Sequence, residues 1–201
     1  MINPLNESTL WSNRVDVLSE QWRRDGFSNY RKDVRDKIVQ LLPPNEVMLD
    51  VGCGSSMLYK HLPQDISQRY TGVDFTPEFI ELCKKKYPEG RWLVEDARTL
   101  TFPDNSFHLV NSTTVLQHIP EWRKAARELV RVAKKYVVST CRSHLSETEV
   151  ISTNPVLRRR FNPEDIVNLY SQYGDVSWRW VDGVVSEKHT MGLYVLEKDN
   201  E

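Results

Sequence analysis

Apolar and polar positions along this 201-residue chain change rhythm near residue 45. Before it, Tyr30, Val34, Ile38 and Leu41 recur at helical spacing and predict one apolar helix face, which Pro43-Pro44 ends. Helix is expected over roughly 8–42. Trp11, Trp22, Phe27 and Tyr30 lie around Gly26, so two shorter helices with a break there fit the pattern.

Beyond residue 45, short apolar runs alternate with helical stretches. EVMLDV (46–51), RYTGVD (69–74), RWLVE (91–95), FHLVNS (107–112) and YVVST (136–140) are nearly continuous. Such runs predict strands buried on both faces, as in a parallel sheet covered by helices. The helices between them carry start signals. Thr76-Pro77-Glu78 places an N-cap, a proline and an acid in order, and Asn162-Pro163-Glu164-Asp165 does the same. Pro120-Glu121 opens a third helix, with Trp122, Ala125, Ala126, Leu129, Val130 and Ala133 on one face and Lys134-Lys135 at the negative end of its dipole. Only Gly183 to His189 separate DVSWRWVD (175–182) from TMGLYVLE (190–197). A parallel crossover needs about a dozen residues or more, so the final strand is expected to run antiparallel to its predecessor.

Charge and cysteine content narrow the picture. Lys+Arg 27 against Asp+Glu 28 gives a net charge of -1, which argues against a dedicated nucleic-acid binder. Cys53, Cys83 and Cys141 stand far apart and form neither a disulfide framework nor a zinc motif, so no metal is expected and a reducing compartment is. The segment MINPLNESTLW has no leader-like pattern, and no apolar run approaches the ~18 residues of a membrane span. A cytoplasmic protein without a membrane partner is the expectation.

Candidate chemistry sits at the carboxyl ends of the strands, where open α/β sheets bind ligands. Asp50, Asp74 and Asp96 end three successive strands. Gly52 and Gly54 form a turn that permits close approach of a ligand to the backbone. Asp74 follows about 20 residues on, the place for a carboxylate that accepts from ribose hydroxyls. The turn lacks the third glycine of a dinucleotide fingerprint, which, with the reversed strand, disfavours a nicotinamide dehydrogenase.

MLDVGCGSS, YTGVDFTPEFIELCKKK, WLVEDARTL and STTVLQHIPEW, in that order, resemble the class I S-adenosylmethionine-dependent methyltransferases, and within them the small-molecule branch often called type 11. The likeness covers roughly 45–197. It implies an α/β, Rossmann-like, doubly wound seven-stranded sheet whose last strand is antiparallel, with N-terminal helices. The expected organisation is a helical cap segment over 1–44 and a catalytic domain over 45–201 in one compact unit.

The resemblance also implies roles. Asp50 and the Gly52–Gly54 turn would hold the methionine end of S-adenosylmethionine, Asp50 reaching its ammonium through water. Asp74 would take both ribose hydroxyls, with Phe75 beside the adenine. Asp96, or Glu95 if the strand slips by one residue, would accept from the exocyclic amine, with Ala97 offering its amide. Ser112 and Thr113 would lie near the sulfonium. Ser56 departs from the family, which commonly has a third glycine there.

His118 is the candidate base toward a small-molecule acceptor, with packing ahead of Pro120 as its alternative reading. Trp22, Tyr30 and Gln117 are candidate acceptor contacts, the two aromatics equally readable as helix packing. Ser139-Thr140-Cys141 echoes the nucleophile motif of RNA cytosine-5 methyltransferases, but its Pro-Cys partner is absent, so Cys141 reads as a buried strand-end residue. Arg158-Arg159-Arg160 reads as a solvated basic face or a contact for an acidic group. The predicted activity is methyl transfer to oxygen or nitrogen. The alternatives are a catalytically idle cofactor-binding fold that serves as sensor or partner subunit, and a methyltransferase of peptide or RNA.

Overall fold

The computed structural model describes residues 9–25, 29–152, 156–185 and 189–199, and only the backbone for 21–25, 29–30, 182–185 and 189–190. Helices α1 (Val15–Asp25) and α2 (Asn29–Leu41) precede the sheet. The expected break at Gly26 lies outside the described residues, as do the side chains of Trp22 and Tyr30. Helix α2 buries Val34 and Ile38 by its helical period, and Leu42 just beyond it, against Met48, Leu58 and Leu109.

Strands β1 (Met48–Val51), β2 (Tyr70–Asp74), β3 (Arg91–Val94), β4 (Phe107–Thr113) and β5 (Ala133–Ser143) are parallel neighbours. Helices α3 (Met57–His61) and α4 (Gln64–Ser67) follow β1, α5 (Pro77–Lys86) follows β2, and α6 (Trp122–Val132) leads into β5. An antiparallel ribbon, β6 (Glu149–Ser152) with β7 (Arg158–Arg160), then α7 (Pro163–Tyr170), precede the closing strands β8 (Gly174–Val185) and β9 (His189–Lys198). The sheet order is β3-β2-β1-β4-β5-β9-β8. The last strand is antiparallel, as its short connection requires, and inserts between β5 and β8.

Two expectations need correction. RWLVE is not buried on both faces: β3 is an edge strand, and Val94 is 50% exposed. Lys134-Lys135 do not end a helix but open β5, because α6 stops at Val132; Lys134 pairs with Glu46 and Lys135 with Glu197. The ribbon was not legible in the sequence and puts the basic run on β7, where Arg159 donates to the Ile119 carbonyl at 2.8 Å. Among the described residues, no helix is long and apolar enough to cross a membrane, and no cluster of metal-ligating side chains appears.

The order reversal between β1 and β4 opens the crevice that such sheets use for ligands. The two faces of the sheet hold the two apolar clusters, one built on α6 and α7, the other on α2, α3 and α5. The crevice therefore has rigid walls.

Candidate functional site

The turn after β1 is shaped by left-handed backbone at Gly52 (φ 76), Gly54 (φ 53) and Ser56 (φ 57). A Cβ at Gly52 would meet Val115 at 2.3 Å, so glycine is required there for packing as well as for φ. Ser56 explains the departure from a third glycine: it takes the glycine-like conformation itself, at the start of α3, without a side-chain cap.

Asp74, the last residue of β2, holds this turn. One carboxylate oxygen accepts from the Gly54 amide at 3.0 Å and the other from the Thr76 amide at 2.9 Å. The Thr76 hydroxyl and the Phe75 amide act on the same carboxylate. Burial raises the Asp74 pKa, opposed by the amides of Thr76 and Gly54. On its other side the turn is fixed by Cys83, whose thiol donates to the Gly54 carbonyl at 3.1 Å. Phe75 follows Asp74 and is half-buried.

Asp50 is deeper, 4% exposed. It accepts from the Tyr70 hydroxyl at 2.5 Å and from the Asn111 amide at 2.6 Å. Burial pushes its pKa up to about 6 despite these two donors, and the charge of Asp74 adds to the rise. Asn111 in turn accepts from Thr113 at 3.2 Å, while the buried Ser112 hydroxyl makes no hydrogen bond among the described residues. Sequence reasoning missed Tyr70 and Asn111. The available signal was an amide inside the apolar run FHLVNS, since buried polar groups need partners.

Asp50, Gly52, Gly54 and Thr113 line one cleft together with Arg31 and Val34 of α2. Thr114 joins them in left-handed backbone (φ 60), a strained conformation for a β-branched residue. Asp96 stands apart from this cleft, two residues beyond β3. Both its oxygens accept from Arg98, at 2.7 to 3.0 Å. Burial alone would raise its pKa, but these hydrogen bonds and the charges of Arg98 and Lys124 outweigh it and leave the carboxyl below the usual value. Ala97 beside it is buried, and Glu95 is engaged by Thr101, with 2.5 Å to its hydroxyl.

His118 belongs to a different constellation. Its Nδ1 lies 2.7 Å from the Leu157 carbonyl and its Nε2 lies 3.3 Å from the Gln117 amide nitrogen. The Gln117 amide oxygen accepts from the Arg142 backbone at 2.8 Å, which turns its nitrogen toward His118. The tautomer satisfying both contacts carries its proton on Nδ1. Trp11 packs edge-on at 5.2 Å. Burial pushes the His118 pKa down to about 4, with Arg158 and Arg142 acting in the same direction against the hydrogen bond to Leu157. The ring is neutral near pH 7. Cys141 is fully buried on β5, and burial alone drives its pKa far up, so this thiol is no nucleophile.

Residues 49–138 match the family model described as the methyltransferase domain. Over that span the chain resembles a methyltransferase domain. The chain is 35% identical over 96 residues to a 2-methyl-6-phytyl-1,4-hydroquinone methyltransferase of Synechocystis sp., covering 46% of this chain and 30% of that protein. It is 30% identical over 112 residues to the demethylmenaquinone methyltransferase of Chlorobaculum tepidum, covering 54% and 46%. The chain thus spans about a third to a half of the length of these relatives. The structure of the Burkholderia thailandensis 1,6-didemethyltoxoflavin-N1-methyltransferase, with 1,6-didemethyltoxoflavin and S-adenosylhomocysteine bound, superposes with a TM-score of 0.75. The match covers 99% of this chain and 92% of that one at 13% identity, a shared fold. The matched span runs from β1 to the middle of β5 and includes Asp50, Asp74 and Asp96.

Proposed function

We propose that this chain transfers a methyl group from S-adenosylmethionine to an oxygen or nitrogen nucleophile of a small molecule. One observation carries the reading: a carboxylate at the end of β2 ties down the glycine turn after β1 through the Gly54 amide. A ribose with two adjacent hydroxyls suits that carboxylate. Two positive-φ glycines beside it leave the backbone open to the ligand's approach.

The other assignments follow the same geometry. Asp50, held by Tyr70 and Asn111, faces the ammonium of the amino-acid end. Phe75 packs beside the adenine, Asp96 accepts from its amino group, and the Ala97 amide serves a ring nitrogen. Asp96 does so while shared with Arg98, so it contributes less than Asp74. Ser112 and Thr113 border the reacting end, where the unpartnered Ser112 hydroxyl is a buried polar group in need of a partner.

When bound, the cofactor supplies an electrophilic methyl on a sulfonium. The chain's share of the chemistry is alignment and exclusion of water, because charge is dispersed as a neutral nucleophile approaches a cation. We assign His118 a holding role in this reaction: both its ring nitrogens are engaged, and it joins the segment after β4 to the ribbon and to Trp11. Gln117 belongs to the same holding network. Trp22 and Tyr30 remain candidates for the acceptor side from the N-terminal helices. The names of the relatives, which include 2-methyl-6-phytyl-1,4-hydroquinone, demethylmenaquinone and 1,6-didemethyltoxoflavin methyltransferases, support a small-molecule acceptor.

Thermal unfolding with and without S-adenosylhomocysteine tests the binding half, since a ligand selective for the native state raises Tm. Incubation with methyl-labelled cofactor and a panel of small phenols, hydroquinones and amines tests turnover. Stabilisation without any labelled product would favour the idle sensor; no stabilisation at saturating ligand would overturn the reading.

A further inference from the structure

Two of the three cysteines meet at the glycine turn. Cys83, on α5, donates its thiol to the Gly54 carbonyl at 3.1 Å, and the Cys53 sulfur lies 3.9 Å from the same oxygen. Both are fixed by their backbones: the Cys53 amide donates to the Val73 carbonyl at 2.9 Å, and Cys83 sits within the body of α5. The third thiol, Cys141, belongs to the apolar cluster on the opposite face of the sheet, which separates it from this pair.

The paired thiols differ in access. Cys53 is half-buried and lines the cleft beside Asp50, whereas Cys83 is fully buried. They also act on each other directly. The hydrogen bond from Cys53 lowers the Cys83 pKa against the effect of burial, while burial and then Cys83 hold Cys53 above the usual thiol value. A thiol open to a cleft, beside a second thiol that ionises more readily, has the arrangement of an oxidisable cysteine and its resolving partner.

We propose that Cys53 and Cys83 form a reversible disulfide with hydrogen peroxide as the oxidant, and that this link loosens the turn beneath the cofactor; its effect on binding rests on the proposed function. Cys53, as the thiolate, attacks one peroxide oxygen. The O–O bond breaks, and the leaving oxygen takes the thiol proton as water, which leaves a sulfenic acid on Cys53. The Cys83 thiolate then attacks that sulfur: the S–S bond forms, the S–O bond breaks, and hydroxide departs with the Cys83 proton as a second water. Two thiols are oxidised and one peroxide is reduced. Neither sulfur then carries a hydrogen, so the Gly54 carbonyl loses the donor that Cys83 supplies. The amide of the same residue is the one that Asp74 holds, so oxidation acts on the turn next to the ribose anchor. In a reducing compartment such a bond is transient, which suits a sensor better than a structural link.

The test treats the fully reduced protein with hydrogen peroxide and maps its peptides without reductant. Wild type should yield a peptide pair joined through Cys53 and Cys83, which dithiothreitol releases. Affinity for S-adenosylhomocysteine should fall by roughly 10-fold in the oxidised form, as for a buried carbonyl stripped of its donor, and return on reduction. Saturating S-adenosylhomocysteine should slow the linkage, because it fills the cleft that Cys53 lines. Cys83→Ser keeps a donor for the carbonyl but no resolving thiol, so its Cys53 should stop at the sulfenic acid and be trapped by dimedone. Cys53 and Cys83 left unlinked in wild type, or a link made through Cys141, would overturn the proposal. A Cys53–Cys83 link that leaves affinity unchanged would overturn the loosening of the turn. Reduced protein that forms the link yet never binds S-adenosylhomocysteine would bring down the cofactor reading and leave the disulfide standing.

Discussion

The two sides of the β1/β4 crevice use ionisable groups in opposite ways. On the β1–β3 side, Asp50 and Asp74 are carboxylates driven upward in pKa by burial and satisfied by donors; Asp50 lines a cleft, and Asp74 holds the Gly54 amide of its wall. On the β4–β5 side, His118 is driven downward by burial and closed off by protein partners on both ring nitrogens. Burial favours the neutral form in both cases. The difference lies in what each group leaves open: Asp50 lines a cleft that a ligand can enter, whereas the histidine's lone pair is spent on Gln117. The first side is built to receive something, and the second to hold the molecule's own segments together.

The sharpest way to break this contrast is at the turn. Gly52→Ala should cost about 3 kcal/mol of stability, from left-handed backbone together with the contact to Val115. Urea unfolding of the variant measures the loss, and a cost below about 1 kcal/mol would mean that the turn is loose. Next come the acids themselves. Asp74→Ala should weaken S-adenosylhomocysteine binding by about 100-fold, the sum of two hydrogen bonds to a charged group. Asp96→Ala should cost only about 10-fold, because Arg98 already occupies that carboxylate. Isothermal titration ranks them, and the reverse order would shift the adenosine anchor to β3.

The pH dependence of the ligand-free protein sharpens the comparison further, since the two groups titrate with opposite sign. Asp50 has a native pKa of about 6 against 3.8. The native state therefore holds its proton more tightly, and the stability this gives at low pH is lost as pH rises from about 4 to 6. His118 has a native pKa of about 4 against 6.5. Its stability is present above 6.5 and is lost as pH falls toward 4. Each shift amounts to about 3 kcal/mol, so wild type shows only the small difference between them. Asp50→Asn should expose the histidine slope, with stability falling on acidification. His118→Ala should expose the acid slope, with stability rising from pH 7 to 5. Urea midpoints at pH 5 and 7 for the two variants check both signs. The smallest effect is the most discriminating for role: His118→Ala should leave S-adenosylhomocysteine affinity within about 3-fold, by the same titration.

The contrast also decides what could be read from the chain. On the β1–β3 side each functional residue lies within three residues of the end of its own strand, so the apolar run locates it: Asp74 closes RYTGVD and the glycines follow EVMLDV. The reversed last strand was legible for a similar local reason, a connection too short to cross over. On the other side the partners are remote. Asn111 reaches Asp50 across 61 residues, and His118 finds Leu157 across 39, just before a ribbon strand of three arginines that carries no apolar period. His118 looked like a base because its sequence neighbours do not include the carbonyl that claims its proton.

All of this hangs on where an adenosine would sit. The structure of this protein crystallised with saturating S-adenosylhomocysteine measures it directly. The ribose hydroxyls are predicted within hydrogen-bonding distance of the Asp74 carboxylate, above the Gly52–Gly54 turn. A nucleoside bound elsewhere, or an empty crevice under those conditions, would contradict the account.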